Sequence, residues 1–346
     1  VRASIRAIST HFPEATLTND ELAGLFSEWT PEKIEQKTGI RVRGIAREDE
    51  TASDLAYHAA VKLFDGGLCR REEVDFVILV TQTPDYFLPA SSCVLQHRLG
   101  LSTSVGAIDL NQGCSGWVYG LTLAKALVEN GQSRCVLLLT ADTYSKIMHD
   151  DDKATRPIFG DGAAATVIEA ASPGTGNLIG DFVLGSDGTG TDHIVMRSGG
   201  FRCRKPAGGH LGADDFGSLR SEDHIYMNGP EVFNFTLRAV PAVFNAVLER
   251  HQLTLAELDL VVFHQANHYM LEHLRIKLRI ERERFLIALR DHGNITSSTI
   301  PNALLIAERE GRIRRGARIL AMGFGVGYSW GGTVLTWDAG LSAPKS

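Results

Sequence analysis

Cysteine is scarce in this chain of 346 residues: there are five, at positions 69, 93, 114, 135 and 203, an odd number with no CxxC pair. That excludes a disulfide framework and offers no zinc-type spacing, so no metal is expected and the expected compartment is reducing and cytoplasmic. No apolar run reaches the roughly 18 residues that a membrane span needs. The segment Val1 to Ile8 also lacks the apolar stretch of a secretory signal. No charge of one sign dominates, and a formal net charge of −6 gives no general reason for a nucleic-acid partner. Low-complexity tracts are missing too. What is present, 44% hydrophobic and 22% charged residues, is enough to bury a large core as one domain or two intimate ones.

The chain echoes itself. Glu73-Val74-Asp75 leads into the apolar run Phe76 to Val80, and Glu257-Leu258-Asp259 leads into Leu260 to Phe263. Asp75 and Asp259 stand 184 positions apart, and so do Arg134 and Arg318, each of which opens another apolar run. Short apolar runs without alternation read as strands buried on both faces, and helix-like stretches such as Gly116 to Glu129 and Ile300 to Arg309 lie between them. The pattern predicts a layered α/β architecture of two related halves. Residues 1–172 and 229–346 form those halves, and residues 173–228, rich in glycine and polar residues, connect them.

Cys114 lies in Asp109-Leu110-Asn111-Gln112-Gly113-Cys114-Ser115-Gly116-Trp117, where a strand turns abruptly into a helix. Unpaired N–H groups and the positive end of the helix dipole favour thiolate there, so the residue reads as a nucleophile. The same 184-residue offset carries Cys114 to Ser298, just beyond Asp291-His292-Gly293-Asn294. His264, in Phe263-His264-Gln265-Ala266-Asn267, falls at the end of a strand, where open α/β sheets bind ligands. A thiol, an imidazole and a carboxamide are thus expected at one rim. Taken singly, His264 reads rather as a core histidine and Asn294 as a turn residue.

Together with Lys37-Thr38-Gly39-Ile40-Arg41, Phe159-Gly160-Asp161-Gly162-Ala163-Ala164, His292-Gly293-Asn294 and Gly323-Phe324-Gly325-Val326-Gly327-Tyr328-Ser329-Trp330-Gly331, these motifs resemble the β-ketoacyl-acyl carrier protein synthase III family over nearly the whole chain. The resemblance implies a thiolase-like, five-layered αβαβα fold with two pseudo-symmetric halves and a homodimer. It implies no metal or redox cofactor, with coenzyme A or phosphopantetheine thioesters as substrates and an acyl carrier protein as partner. By the same token Cys114 would be acylated, and His264 with Asn294 would serve decarboxylation of a malonyl-type extender. Backbone N–H groups of Cys114 and of Gly325-Val326-Gly327 would meet the oxyanion. Phe87 and Leu88, reaching toward a partner's pocket, and Trp117 would shape the acyl site. The alternative on the same fold is an acyltransferase that passes the acyl group from Cys114 to an alcohol or amine without condensation.

One part of the family pattern is altered. The positions where many members place a tryptophan and an arginine around the adenine of coenzyme A are here Lys33 and Lys153, with Trp29 and Arg156 nearby but out of register. Lysine offers no flat surface for stacking. The expected thioester and carrier contacts are Lys33, Lys37, Lys153, Arg156, Asn267, Arg275 and Lys277, and the departure points either to coenzyme A bound in an altered pose or to primers delivered on a carrier, in a specialised pathway.

Overall fold

The computed structural model describes residues 1–171, 176–205, 212–213, 217–338 and 340. Ten strands join in one sheet: β1 (Ala3–His11), β2 (Phe76–Val80), β3 (Gly106–Leu110), β4 (Cys135–Asp142), β5 (Gly162–Ala170), β6 (Asn177–Ile179), β7 (Val183–Ser186), β8 (Leu260–Phe263), β9 (Ala317–Gly325) and β10 (Ser329–Trp337). Their order is β8-β9-β10-β6-β1-β5-β4-β2-β3, with β7 also on β10. The segment expected as a connection therefore supplies two strands, and β6 pairs with β1 at Ser4 and Ile5 to seam the two wings.

The acidic residues of the repeat have a physical task. Glu73 and Glu257 each accept the backbone N–H three residues upstream, from Arg70 at 3.0 Å and Thr254 at 2.9 Å, closing one tight turn before the strand. Asp75 then accepts the N–H of Arg134 at 2.8 Å, and Asp259 that of Arg318 at 2.9 Å. Each carboxylate thereby sets where the next strand begins. The register follows, with β2 parallel to β4 and β8 parallel to β9.

Among the described residues eight helices cover and fill the sheet: α1 (Asn19–Leu25), α2 (Pro31–Thr38), α3 (Ala52–Asp65), α4 (Ser91–Arg98), α5 (Gly116–Glu129), α6 (Gly229–Arg250), α7 (His268–Lys277) and α8 (Thr299–Arg309). Side chains alternate along each strand, and the alternation assigns the layers. Ile78, Val80, Val136 and Leu138 of one wing, with Val262, Ile319 and Ala321 of the other, close on Trp117 and Leu121 of α5 and Ile300 and Leu304 of α8. Val77, Leu79, Leu137 and Leu139 face outward to α3 and α4. Val261, Phe263, Leu320 and Met322 face α6 and α7. The result is five layers, αβαβα, with α5 and α8 in the middle. Ser115 and Ser298 cap those two helices with nearly the same backbone, φ −86° and ψ −4° against φ −79° and ψ −6°. The two corners thus correspond at Ser115 and Ser298, one residue away from the expected pairing of Cys114 with Ser298.

Candidate active site

Three chain corners meet above the middle layer. Cys114 ends the turn from β3 into α5 and His264 follows β8, its N–H donating to Met322 at 2.8 Å. Asn294 is held by the Phe-Gly-Asp-Gly motif, since its N–H donates to Ile158 at 3.0 Å and its carbonyl accepts from Gly160 at 3.1 Å. A side chain at Gly160 would strike the His292 carbonyl at 2.5 Å, which explains that glycine. Cys114, His264 and Asn294 are all buried, and all three line one cavity of about 910 Å³.

The glycine-rich loop after β9 closes over the sulfur. Gly325 adopts φ +158°, and a Cβ there would lie 2.7 Å from both Cβ and Sγ of Cys114. Only glycine lets the backbone come so near. The Val326 N–H donates to the sulfur, whereas Gly327 packs on Ser329 and stands off the cavity. Burial pushes the Cys114 thiol up to about 12, with the Val326 and Cys114 N–H groups opposing and the Asp142 charge adding to the rise. The helix start therefore does not by itself yield a resting thiolate as expected. Removal of the sulfur from water outweighs it.

Burial also holds His264 neutral, pushing it down to about 3 against a backbone hydrogen bond with Thr296. Its Nδ1 is 2.8 Å from the Thr299 hydroxyl, which in turn lies 2.8 Å from the Thr296 carbonyl. The Asn294 Oδ1 accepts the Thr296 N–H at 3.0 Å. Thr296 hydroxyl donates to Asp142, a buried carboxylate that also accepts the Gln82 N–H at 2.7 Å and the Thr81 hydroxyl at 3.3 Å. Burial raises Asp142 to about 7, with these donors pulling it back. Asp142, Thr296 and Thr299 carry no motif of their own in the sequence; serines and threonines beside a helix start read simply as caps.

Several expected contacts are elsewhere. Trp117 is fully buried between the wings and donates to the Thr166 hydroxyl at 3.1 Å, so it is core and no part of an acyl wall. Phe87 and Leu88 are 68% and 79% exposed and do not line this chain's cavity. Lys33 points outward from α2. Arg156 binds Asp150 at 3.1 Å, and Arg275 is taken by Glu272 at 2.9 Å and by the Ile280 carbonyl at 2.9 Å. Lys277 is exposed and does not line the cavity. Lys37, Lys153 and Asn267 do line the cavity, and Asn267 caps α7 by accepting the Met270 N–H at 2.8 Å.

The mouth is more aromatic than the register count implies. Trp29 precedes α2, in the turn capped by Thr30, and stands in the wall with Lys37 5.8 Å above its ring. Lys153 is paired with Glu28, and Tyr269 and Phe233 line the opposite side. An aromatic face is thus available at the entrance, supplied from one turn earlier in the chain.

Layers and site together define a condensing enzyme of the thiolase-like fold. Residues 108–188 match the family described as 3-oxoacyl-[acyl-carrier-protein (ACP)] synthase III, and residues 248–337 match its C-terminal part. The β-ketoacyl-[acyl-carrier-protein] synthase III of Caldanaerobacter subterraneus subsp. tengcongensis is 35% identical over 339 residues, 98% of each chain. The chain belongs to the β-ketoacyl-[acyl-carrier-protein] synthase III family. A crystal structure of a 3-oxoacyl-(acyl-carrier-protein) synthase III shares the fold with a TM-score of 0.95 at 49% identity, over 97% of this chain and all of that one. The priming β-ketosynthase of the R1128 polyketide pathway matches at a TM-score of 0.83 and 27% identity, over 99% of this chain and 97% of that one.

Proposed function

We propose that this chain forms a β-ketoacyl thioester in two steps on Cys114. The sulfur attacks an acyl thioester delivered by coenzyme A or by a carrier, and the proton it sheds ends on the departing thiol. Concerted transfer avoids a free thiolate in a site that resists one. A malonyl thioester on acyl carrier protein then enters, its C–C bond breaks, carbon dioxide leaves, and an enolate remains. Two groups meet the enolate oxygen: the amide of Asn294, whose oxygen is already occupied by Thr296, and neutral His264 through Nε2–H, the tautomer in which Nδ1 accepts from Thr299. The enolate carbon attacks the acyl carbonyl, and the Cys114 sulfur leaves and is reprotonated.

The observation that carries this reading is that thiol, imidazole and carboxamide, from three distant segments, open onto one cavity. Trp29 and Lys37 at its mouth suit the adenine and phosphates of coenzyme A, and Lys37, Lys153 and exposed Lys277 suit an acidic carrier. The working unit is a homodimer. Strand β3 is a sheet edge with exposed Ile108, and exposed Phe87 and Leu88 can line an acyl site only across an interface. The chain acts in the cytoplasm, in fatty acid or specialised-metabolite synthesis. Intact-mass spectrometry after exposure to a panel of acyl thioesters tests the first step: a stoichiometric adduct is expected in the parent, and the same adduct in Cys114→Ala would refute the nucleophile.

A further inference from the structure

We propose that Asp142 is a positioning residue for decarboxylation: its carboxylate fastens the Thr296 hydroxyl, and the Thr296 peptide then aims Asn294. The inference rests on the role given above to that side chain. It starts from an unusual backbone. Thr296 is fully buried and sits at φ +50°, a left-handed conformation that a β-branched residue rarely adopts. Something must hold it there, and its N–H and its hydroxyl are both engaged.

The N–H of Thr296 donates to Asn294 Oδ1 at 3.0 Å. That bond uses the acceptor end of the carboxamide and leaves its donor end for the cavity. The Thr299 hydroxyl oxygen lies 2.8 Å from both the Thr296 carbonyl and His264 Nδ1, and in the tautomer that presents Nε2–H the hydroxyl's one proton goes to Nδ1. Rotation of the Thr296 peptide would therefore misdirect the Asn294 donor. The hydroxyl is the anchor, donating to Asp142 from 154 positions along the chain, across the join between the two halves. Asp142 in its turn is fixed at the end of β4 by the Gln82 N–H and the Thr81 hydroxyl. A misplacement of about 1 Å in such a site can cost on the order of 10²-fold in rate. Acyl loading does not pass through Asn294 or His264 in this scheme, so it should be spared.

The test compares Asp142→Asn, Thr296→Val and Thr296→Ser with the parent, following two readouts separately: adduct formation on Cys114 by intact mass, and carbon dioxide release from a labelled malonyl thioester by the pre-acylated enzyme. Asp142→Asn and Thr296→Val are expected to load at the parent's rate or faster, and to release carbon dioxide roughly 10- to 100-fold more slowly through kcat with KM for the extender little changed. Thr296→Ser, which keeps the hydroxyl, should recover most of the loss. Should Asp142→Asn not fold, the Val and Ser pair at position 296 decides alone. Equal losses in both half-reactions, a Ser variant as slow as Val, or unimpaired carbon dioxide release would each overturn the assignment. Asn294→Ala serves as the reference. Undiminished carbon dioxide release there would sink the underlying reading, whereas its loss with Thr296→Val unaffected would sink only the present inference.

Discussion

Asn294→Asp is the sharpest perturbation of the proposed enolate site, because it changes one end of a side chain and keeps the other. The carboxamide is buried, and its Oδ1 accepts the Thr296 N–H at 3.0 Å. Aspartate retains an oxygen for that bond and replaces the donor that faces the cavity with an acceptor. Loss of one preorganised donor to a developing oxyanion costs about 3 kcal/mol, or roughly 10²- to 10³-fold in rate. The companion Asn294→Ala loses the donor as well, and also strands a buried N–H, which costs about 1–3 kcal/mol of stability. Both variants should thus release carbon dioxide at least roughly 10²-fold more slowly, and both should melt several degrees lower, the alanine through the stranded N–H and the aspartate through an unpaired buried carboxylate. Loading of Cys114, followed by mass in the absence of extender, should proceed in both. If loading collapses in Asn294→Asp, or carbon dioxide release stays within threefold of the parent, Asn294 does not act on the enolate.

His264 ties stability to pH. Its folded value is pushed down to about 3, so below its ordinary 6.5 the unfolded chain binds a proton that the folded chain refuses, and stability falls as pH drops from 6.5 toward 3. By pH 5.5 the loss from this group is about 1 kcal/mol. Denaturant unfolding at pH 7.5 and 5.5 should show a shallower decline in His264→Gln, and identical slopes would contradict the burial argument. Gly325→Ala forces a Cβ to 2.7 Å from the nucleophile's Cβ and Sγ, so acyl loading should slow severely with secondary structure intact; parent-rate loading would show that the loop yields freely. Trp29→Ala should raise KM for an acyl-coenzyme A but leave the same acyl group on pantetheine unaffected, and equal changes for the two donors would remove Trp29 from the nucleotide contact.

The architecture and the three central side chains were legible because each depends on local signals. The acidic residues at 73, 75, 257 and 259 mark strand starts by accepting specific N–H groups, and Cys114 and His264 stand past the ends of β3 and β8. What failed was reasoning about direction. Trp117 follows the nucleophile, but α5 is clasped by both wings, so even its first turn faces core. Counting back along α2 selected Lys33, whereas the chain reverses before the helix and brings Trp29 to the wall. Arg275 looked available until its neighbour Glu272 claimed it. The link from Asp142 to Thr296 spans the two halves and has no local pattern to betray it.

The most direct test of the account is a single turnover of pre-acylated protein with a malonyl thioester labelled in its free carboxyl group, quantifying carbon dioxide and β-ketoacyl product together. One equivalent of each per acylated Cys114 is expected, with neither formed by Cys114→Ala. Discharge of the acyl group to an alcohol, an amine or water without labelled carbon dioxide would contradict condensation and leave simple acyl transfer in its place.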